Sequence, residues 1–495
     1  MTALIIHGHF YQPPRENPRT GKIEPQPSAA PFHDWNERIH AESYGPNAFA
    51  RIGGDVPERV INNYEYLNFN FGPTLLSWLQ EQQPRTYQRI LEADRISAAK
   101  REGHGNGIAQ AYGHAILPLA NSRDQLTHIL WGLEDFRFRF GRESESIWLP
   151  ETACNYETLN LLIDQHLRYV ILSPEQANRV RKLGDSVWTE LTRANVDTTR
   201  PYRFFHRDGS GRSLAVFFYH GTLARSIAFE KALTSSRELV DRFIRVADTG
   251  PLVNVATDGE TYGHHFKFGD LCLAHALTVE APAAGLQITN YGKYLDHHEP
   301  EFEVDINNGP AGEGTSWSCV HGVGRWSRDC GCHTGGESGW NQLWRAPLRA
   351  ALEFLRANGI DNFEQRGGDL FNDPWDARNG YIRLMLRGPE YQSAFLQEYS
   401  QRTLSETEQD VALKLLEIQR NSLLMFTSCG WFFSDLGGIE TVQVMRYADR
   451  VIELQKELGI ETHRQRFIEM LAEARSNLKE KGTGAEIFLR LTSSN

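Results

Sequence analysis

Ile147-Trp148-Leu149-Pro150-Glu151-Thr152-Ala153-Cys154 decides how this chain is read. Its first residues form a short apolar strand, and Pro150, which cannot donate a ladder hydrogen bond, ends it. Glu151 is thereby delivered just past a strand end, where barrels and open α/β sheets carry their chemistry. Residues 251–260 repeat the plan: the buried-looking run Leu252-Val253-Asn254-Val255-Ala256-Thr257 leads into Asp258-Gly259-Glu260. Two strand-end carboxylates far apart in sequence predict a paired acid and nucleophile.

Working outward, further strands fall into step with these two. Leu4-Ile5-Ile6 runs into His7-Gly8-His9-Phe10-Tyr11-Gln12-Pro13. Tyr169-Val170-Ile171-Leu172 and Leu214-Ala215-Val216-Phe217-Phe218 are compact β runs, and amphipathic helices are expected over residues 73–79, 126–140 and 156–166. Roughly six or seven strand–helix units before residue 300 predict a parallel barrel with its active groups at one end. Residues 13–57, rich in Pro, Asn and Gly but bearing Phe32, Trp35, Tyr44 and Phe49, read as a long ordered covering loop. Residues 62–71 read as an amphipathic stretch. The glycines of Gly103-His104-Gly105-Asn106-Gly107 predict an irregular segment where backbone approaches something closely.

The character changes after Asn307-Asn308-Gly309-Pro310. A Gly-rich stretch continues to Gly339, and helices follow: one over residues 346–358 ended by Gly359, and one opened by the capping box Ser405-Glu406-Thr407-Glu408. The expected organisation is a catalytic barrel over residues 1–305, a connecting segment over the cleft at 306–339, and an α-helical domain over 340–495.

Bulk properties narrow the function. The chain has 495 residues, 40% hydrophobic and 23% charged, with a formal net charge of −11; it lacks the basic balance that nucleic-acid or acidic-membrane partners favour. No apolar run approaches a membrane span, the first residues read as a strand and not a signal peptide, and six cysteines are too few for a disulfide scaffold. A cytoplasmic protein with reduced thiols is expected. The oligomeric state is not legible.

Paired carboxylates at strand ends suit glycoside hydrolysis, one attacking the anomeric carbon and a protonated one donating to the leaving oxygen. The motifs, in order, resemble glycoside hydrolase family 57. His7-Gly8-His9-Phe10-Tyr11-Gln12-Pro13 is similar to its first motif, Gly103-His104-Gly105-Asn106 to its second, Trp148-Leu149-Pro150-Glu151 to its nucleophile motif and Asp258-Gly259-Glu260 to its acid/base motif. The helical part resembles the extra domain of a long-chain branch of that family. The resemblance implies a distorted (β/α)7 barrel followed by an α-helical domain, and a retaining double displacement on α-glucans or maltooligosaccharides. It makes Glu151 the nucleophile and Asp258 the general acid/base, with carboxyl groups about 5–5.5 Å apart. Hydrolysis, glucanyl transfer and branching share these residues and stay open.

Around the pair, Glu260 reads as orienting the acid, with direct acid duty as the alternative. His7 and His9, two apart on a strand and so on one face, are candidates for sugar hydroxyls, as are His104, Asn106 and His264; Trp148 is a candidate for sugar stacking or packing. By analogy with the family, Trp431 and Asp435, in Cys429-Gly430-Trp431-Phe432-Phe433-Ser434-Asp435, are cleft-wall candidates. No cofactor and no metal are expected. The alternatives are a metal-dependent deacetylase or mannosidase using His7, His9, Asp258 and His264, and a catalytically silent glucan-binding protein. Cys319-Val320-His321 and Cys330-Gly331-Cys332-His333 pose a separate question. A structural zinc site is one reading, but the spacing is not a standard pair of hooks, and a reduced, partly buried loop is preferred.

Overall fold

The computed structural model describes residues 2–53, 58–192 and 195–493; residues 54–57, at the end of the expected covering loop, lie outside the described residues. The chain divides into two compact units. The first comprises Met1–Gln12, Pro25–Gln110 and Phe136–Trp317, and the second Pro13–Glu24, Ala111–Asp135 and Ser318–Asn495.

Seven parallel strands form the centre of the first unit: β1 (Ala3–Phe10), β2 (Asn68–Phe71), β3 (Ala109–Gln110), β4 (Ile147–Trp148), β5 (Tyr169–Leu172), β6 (Ser213–Phe218) and β7 (Leu252–Asp258). β1 is buried along its whole length, as a strand covered on both faces must be. It pairs with β7 from Ala3↔Leu252 to His9↔Asp258 and with β2 from His7↔Asn68 to Phe10↔Phe71. A bridge between Phe69 and Gly107 carries the ring from β2 toward β3. β3 pairs with β4, Ser146 bridges to Tyr169 at the start of β5, and β5 pairs with β6. The ring closes where the His220 N–H, just after β6, donates to the Asn254 carbonyl of β7 at 2.8 Å.

The (β/α)7 barrel is distorted in identifiable places. The lower half of β1 pairs not with β2 but with Gln287–Ile288. β6 also carries an antiparallel partner, Tyr202–Phe205, which leads to Phe302–Ile306, Ala177–Lys182 and Thr189–Glu190. Residues 62–71, expected to be one amphipathic stretch, contain a 3-10 turn and then β2, whose Asn-Phe-Asn-Phe is buried throughout. Asparagine on a buried strand hides the usual apolar signal. Within residues 13–57 the chain forms short helical pieces, Trp35–Ile39, a π-helical turn His40–Tyr44, and Gly45–Ala48. They are too short for any apolar period to show in sequence.

The second unit is built from helices Arg345–Gly367, Pro374–Arg387, Gln392–Tyr399, Glu406–Leu424, Ile439–Glu457, Arg464–Leu471 and Gly484–Ser493. The expected capping box forms: the Ser405 side chain accepts from the Glu408 N–H, and the Glu408 carboxylate accepts from the Ser405 N–H. The helix expected to end at Gly359 instead runs through it to Gly367. Packing along a long buried face outweighs the propensity cost of one glycine, about 1 kcal/mol. No helix among the described residues is long and apolar enough to cross a membrane.

Candidate active site

All strand C-termini of a parallel barrel open at one end, and strand register decides what stands there. His9 lies opposite Asp258 on β7 and opposite Asn70 on β2, while Gln110 lies opposite Trp148 on β4. The Asn70 side chain stitches these strands together. Its Nδ2 donates to Gln110 Oε1 at 2.8 Å and to His9 Nδ1 at 2.9 Å, and its Oδ1 accepts from His7 Nε2 at 3.0 Å. This arrangement requires His9 Nδ1 to carry no proton, because it would otherwise face a donor. Burial points the same way, lowering His7 to about 4 and His9, also beside His7, to about 3. Trp148 is buried, stacked on His7 at 4.8 Å and on His9 at 4.9 Å, with its edge toward Trp317 at 5.2 Å.

Pro150 ends β4 as its chemistry requires, and the chain turns sharply. Glu151 and Thr152 both adopt left-handed backbone, with φ of 59° and 50°. Each costs about 1–3 kcal/mol for a residue with a side chain and persists only where the surroundings over-determine it. They do so here. Thr152 N–H donates to the Leu149 carbonyl and Ala153 N–H to that of Pro150. Gln176 accepts from the Thr152 hydroxyl and donates to the Thr152 carbonyl, each at 2.9 Å. Trp317 holds the residue at both ends: its backbone N–H donates to the Glu151 carbonyl and its indole Nε1–H to Glu151 Oε2, each at 3.0 Å. The turn aims one largely buried carboxylate and fixes its orientation.

Asp258 ends β7 with its side chain open to solvent. It is nonetheless densely surrounded by protein, and this crowding, followed by the charges of Glu260 and Glu151, raises its pKa well above the usual carboxylate range. Glu260 is buried, which lifts it to about 7 against the opposing pull of its hydrogen bonds. It accepts from the Tyr11 N–H at 3.0 Å and from the Tyr44 hydroxyl. The Asp-Gly-Glu order has a steric reason, since a Cβ on Gly259 would lie 2.2 Å from the Phe10 ring. A carboxyl pushed toward its protonated form, near an oriented carboxylate, is the arrangement that acid-assisted displacement at an acetal carbon needs.

The other residues singled out in the sequence lie in several places. His264 stays in the turn after Glu260, its N–H donating to the Glu260 carbonyl and its ring bonded to the Glu42 carboxylate. His104 and Asn106 are not with the pair. They precede β3, and His104 bonds Glu145 (3.0 Å) and Asp296 (2.8 Å), in a charge cluster with Arg168. Glu145 and Arg168 precede β4 and β5, so this cluster marks the N-terminal rim, the opposite end of the barrel. Asn106 is buried and donates to the Tyr64 carbonyl. The neighbouring glycines serve an ion pair, because a Cβ on Gly105 would lie 2.3 Å from both Arg142 and Asp94. Trp431 and Asp435 belong to the second unit. Trp431 is fully buried there, and Asp435 accepts from Ser476, Gly437 N–H and Asn477 N–H.

Four residues of the site escape a sequence reading: Asn70, Gln110, Tyr44 and Trp317. Asn70 and Gln110 sit on strands too short or too polar to be recognised, and Tyr44 and Trp317 lie in segments without periodicity. The faint signal for Asn70 is its alternation with Phe69 and Phe71.

A family model for glycosyl hydrolase family 57 matches residues 32–307, more than half of the chain. A domain of unknown function (DUF3536) matches residues 340–495. No curated protein matches the chain. Among solved structures, an exo-type maltose-forming amylase from Pyrococcus sp. ST04 superposes with a TM-score of 0.65 at 16% identity, over 95% of this chain and 82% of that one. A branching enzyme from Pyrococcus horikoshii gives 0.54 at 15% identity, over 96% and 94%. A 4-α-glucanotransferase from Thermococcus litoralis gives 0.53 at 16% identity, over 92% and 60%. At such identities the structures show a shared fold, and the family model carries the assignment: the chain is an enzyme that belongs to glycosyl hydrolase family 57.

Proposed function

We propose that the protein is a retaining enzyme of α-glucans or maltooligosaccharides, with Glu151 as nucleophile and Asp258 as general acid/base. The observation that carries this reading is the asymmetry of the two carboxyls. Asp258 is driven toward its protonated form by crowding and by two neighbouring carboxylates, while Glu151 accepts the Trp317 indole hydrogen bond. In the first step a Glu151 oxygen attacks the anomeric carbon as the glycosidic bond breaks, and Asp258 gives its proton to the departing oxygen. The Asp258 carboxylate then takes a proton from water or a sugar hydroxyl, which displaces Glu151 and restores the starting configuration. Water gives hydrolysis and a sugar hydroxyl gives transfer or branching. Glu260 supports the acid through its charge, and His7 and His9 brace the strand ends beside it. Six cysteines with no disulfide among the described residues support placing the enzyme in the reducing cytoplasm.

Azide rescue with an α-glucosyl fluoride tests the roles separately. With Glu151→Gly, azide takes the missing carboxylate's place and yields the β-glucosyl azide after one inversion. With Asp258→Ala, azide intercepts the glycosyl-enzyme and yields the α-azide, since a good leaving group needs no acid for the first step. The same anomer from both variants, or full wild-type turnover of a maltooligosaccharide by Glu151→Gly, refutes the assignment.

A further inference from the structure

A second cluster of reactive side chains lies apart from the carboxylates in sequence and chemistry. Cys319, His321, Cys330 and Cys332 belong to the second unit, and one ligand atom from each falls within 4.8 Å of all the others. Cys319 Sγ is 3.8 Å from Cys330 Sγ and 3.8 Å from Cys332 Sγ, and Cys332 Sγ is 3.4 Å from His321 Nδ1. Four ligands placed tetrahedrally around zinc, with Zn–S about 2.3 Å and Zn–N about 2.0–2.1 Å, put sulfurs about 3.8 Å apart and sulfur and nitrogen about 3.5 Å apart. The three spacings above match these values, and the remaining pairs lie within 4.8 Å. A disulfide would bring one pair of sulfurs to about 2.05 Å, whereas Cys319 stands equally far from two partners.

The surroundings fit an anionic centre. Zinc with three thiolates and a neutral imidazole carries one net negative charge. Two buried guanidiniums stand beside the cluster, and neither has a carboxylate within ion-pair distance among the described residues. Arg345 donates to the Cys332 carbonyl at 2.7 Å, and Arg325 to the His333 carbonyl at 3.3 Å. A buried cation with no carboxylate in contact is costly, and a cluster of charge −1 beside the two relieves that cost. The loop geometry suits metal binding as well: Gly331, with φ of 81°, turns the chain between Cys330 and Cys332, and its N–H is tied to the Asp329 carboxylate at 3.1 Å. His333, equally close in sequence, is not among the side chains whose ligand atoms gather within 4.8 Å; its Nδ1 bonds the Gly335 carbonyl at 3.0 Å.

We propose that Cys319, His321, Cys330 and Cys332 bind one zinc ion in a closed structural site. Four protein ligands leave no open position, so the metal does not serve as a Lewis acid; it fastens the segment that begins two residues after Trp317. Binding releases the three thiol protons and contributes directly to the stability of that segment. The proposal departs from the expectation of a simple reduced loop, which rested on irregular sequence spacing.

The test uses the full chain purified under reducing conditions, reconstituted with zinc and freed of loose metal by gel filtration. About one zinc per chain is expected by elemental analysis, with an X-ray absorption shell of three sulfurs near 2.3 Å and one nitrogen near 2.0–2.1 Å. Cys330→Ser/Cys332→Ser should lose the metal, and its separate thermal melt reports whether the fold survives. His321→Cys keeps zinc and converts the shell to four sulfurs, a readout that needs no loss of folding. Wild-type protein retaining less than about 0.1 zinc per chain after reconstitution would overturn the proposal. So would a shell without sulfur, or an intact mass lacking two hydrogens because two of these cysteines had joined.

Discussion

Replacing His9 by Gln should flatten the acid dependence of the barrel's stability. In the folded protein, burial and the neighbouring His7 lower His9 to about 3, against 6.5 for the free side chain. The unfolded chain therefore takes up a proton near pH 6.5 that the folded chain refuses. Stability is greatest above pH 6.5 and falls as pH drops toward the folded value. Between pH 7.5 and pH 4.5, a site with these two values costs the wild type about 3 kcal/mol, from RT ln of the ratio of the two binding polynomials. His7, lowered to about 4, contributes a similar loss and remains in the variant. Gln at position 9 can still accept from Asn70 Nδ2 and carries no proton to titrate. The variant should be less stable than wild type at pH 7.5, having lost its stacking on Trp148, and should recover about 3 kcal/mol relative to it at pH 4.5. Pulse proteolysis in urea, following fragments of the first unit, measures both differences. A variant whose stability falls as steeply with acid as the wild type would refute the neutral-imidazole network.

Three other outcomes follow from single positions. Removing the Glu260 charge with Glu260→Gln takes away a neighbour that raises Asp258, so the alkaline limb of the kcat/KM profile should move to lower pH; Tyr44→Phe, which deletes a bond that lowers Glu260, should move any limb near pH 7 upward. An unmoved profile in both variants would remove Glu260 from the mechanism. Gly359→Ala should stabilise the second unit by about 0.5–1 kcal/mol, because the helix is continuous there and an added Cβ meets its nearest neighbours, Ser422 and Ile418, at an ordinary 3.7–3.8 Å. A lower unfolding midpoint would show that this backbone approach is tighter than the structure indicates.

Local chemistry was enough to place some of this molecule. Pro150 after an apolar pair, and Asp258-Gly259-Glu260 after a buried run, announce strand ends and carboxylates within a few residues, and the alternation of such runs with helices points to a barrel of roughly six or seven units, the number seven being supplied by the family resemblance. The capping box at Ser405 is equally local. Tertiary structure decided what depends on distant partners. Which rim of the barrel a residue occupies depends on where its strand begins, and β3 is two residues long; His104 and Asn106 therefore lie at the N-terminal rim although their motif lies beside a strand that ends in the site. Asn70, Tyr44 and Trp317 act on groups 40 to about 220 residues away, and no sequence period links such residues. The cysteines show the same limit: their spacing matches no standard hook, because a metal senses only the distances between ligand atoms, and folding sets those distances.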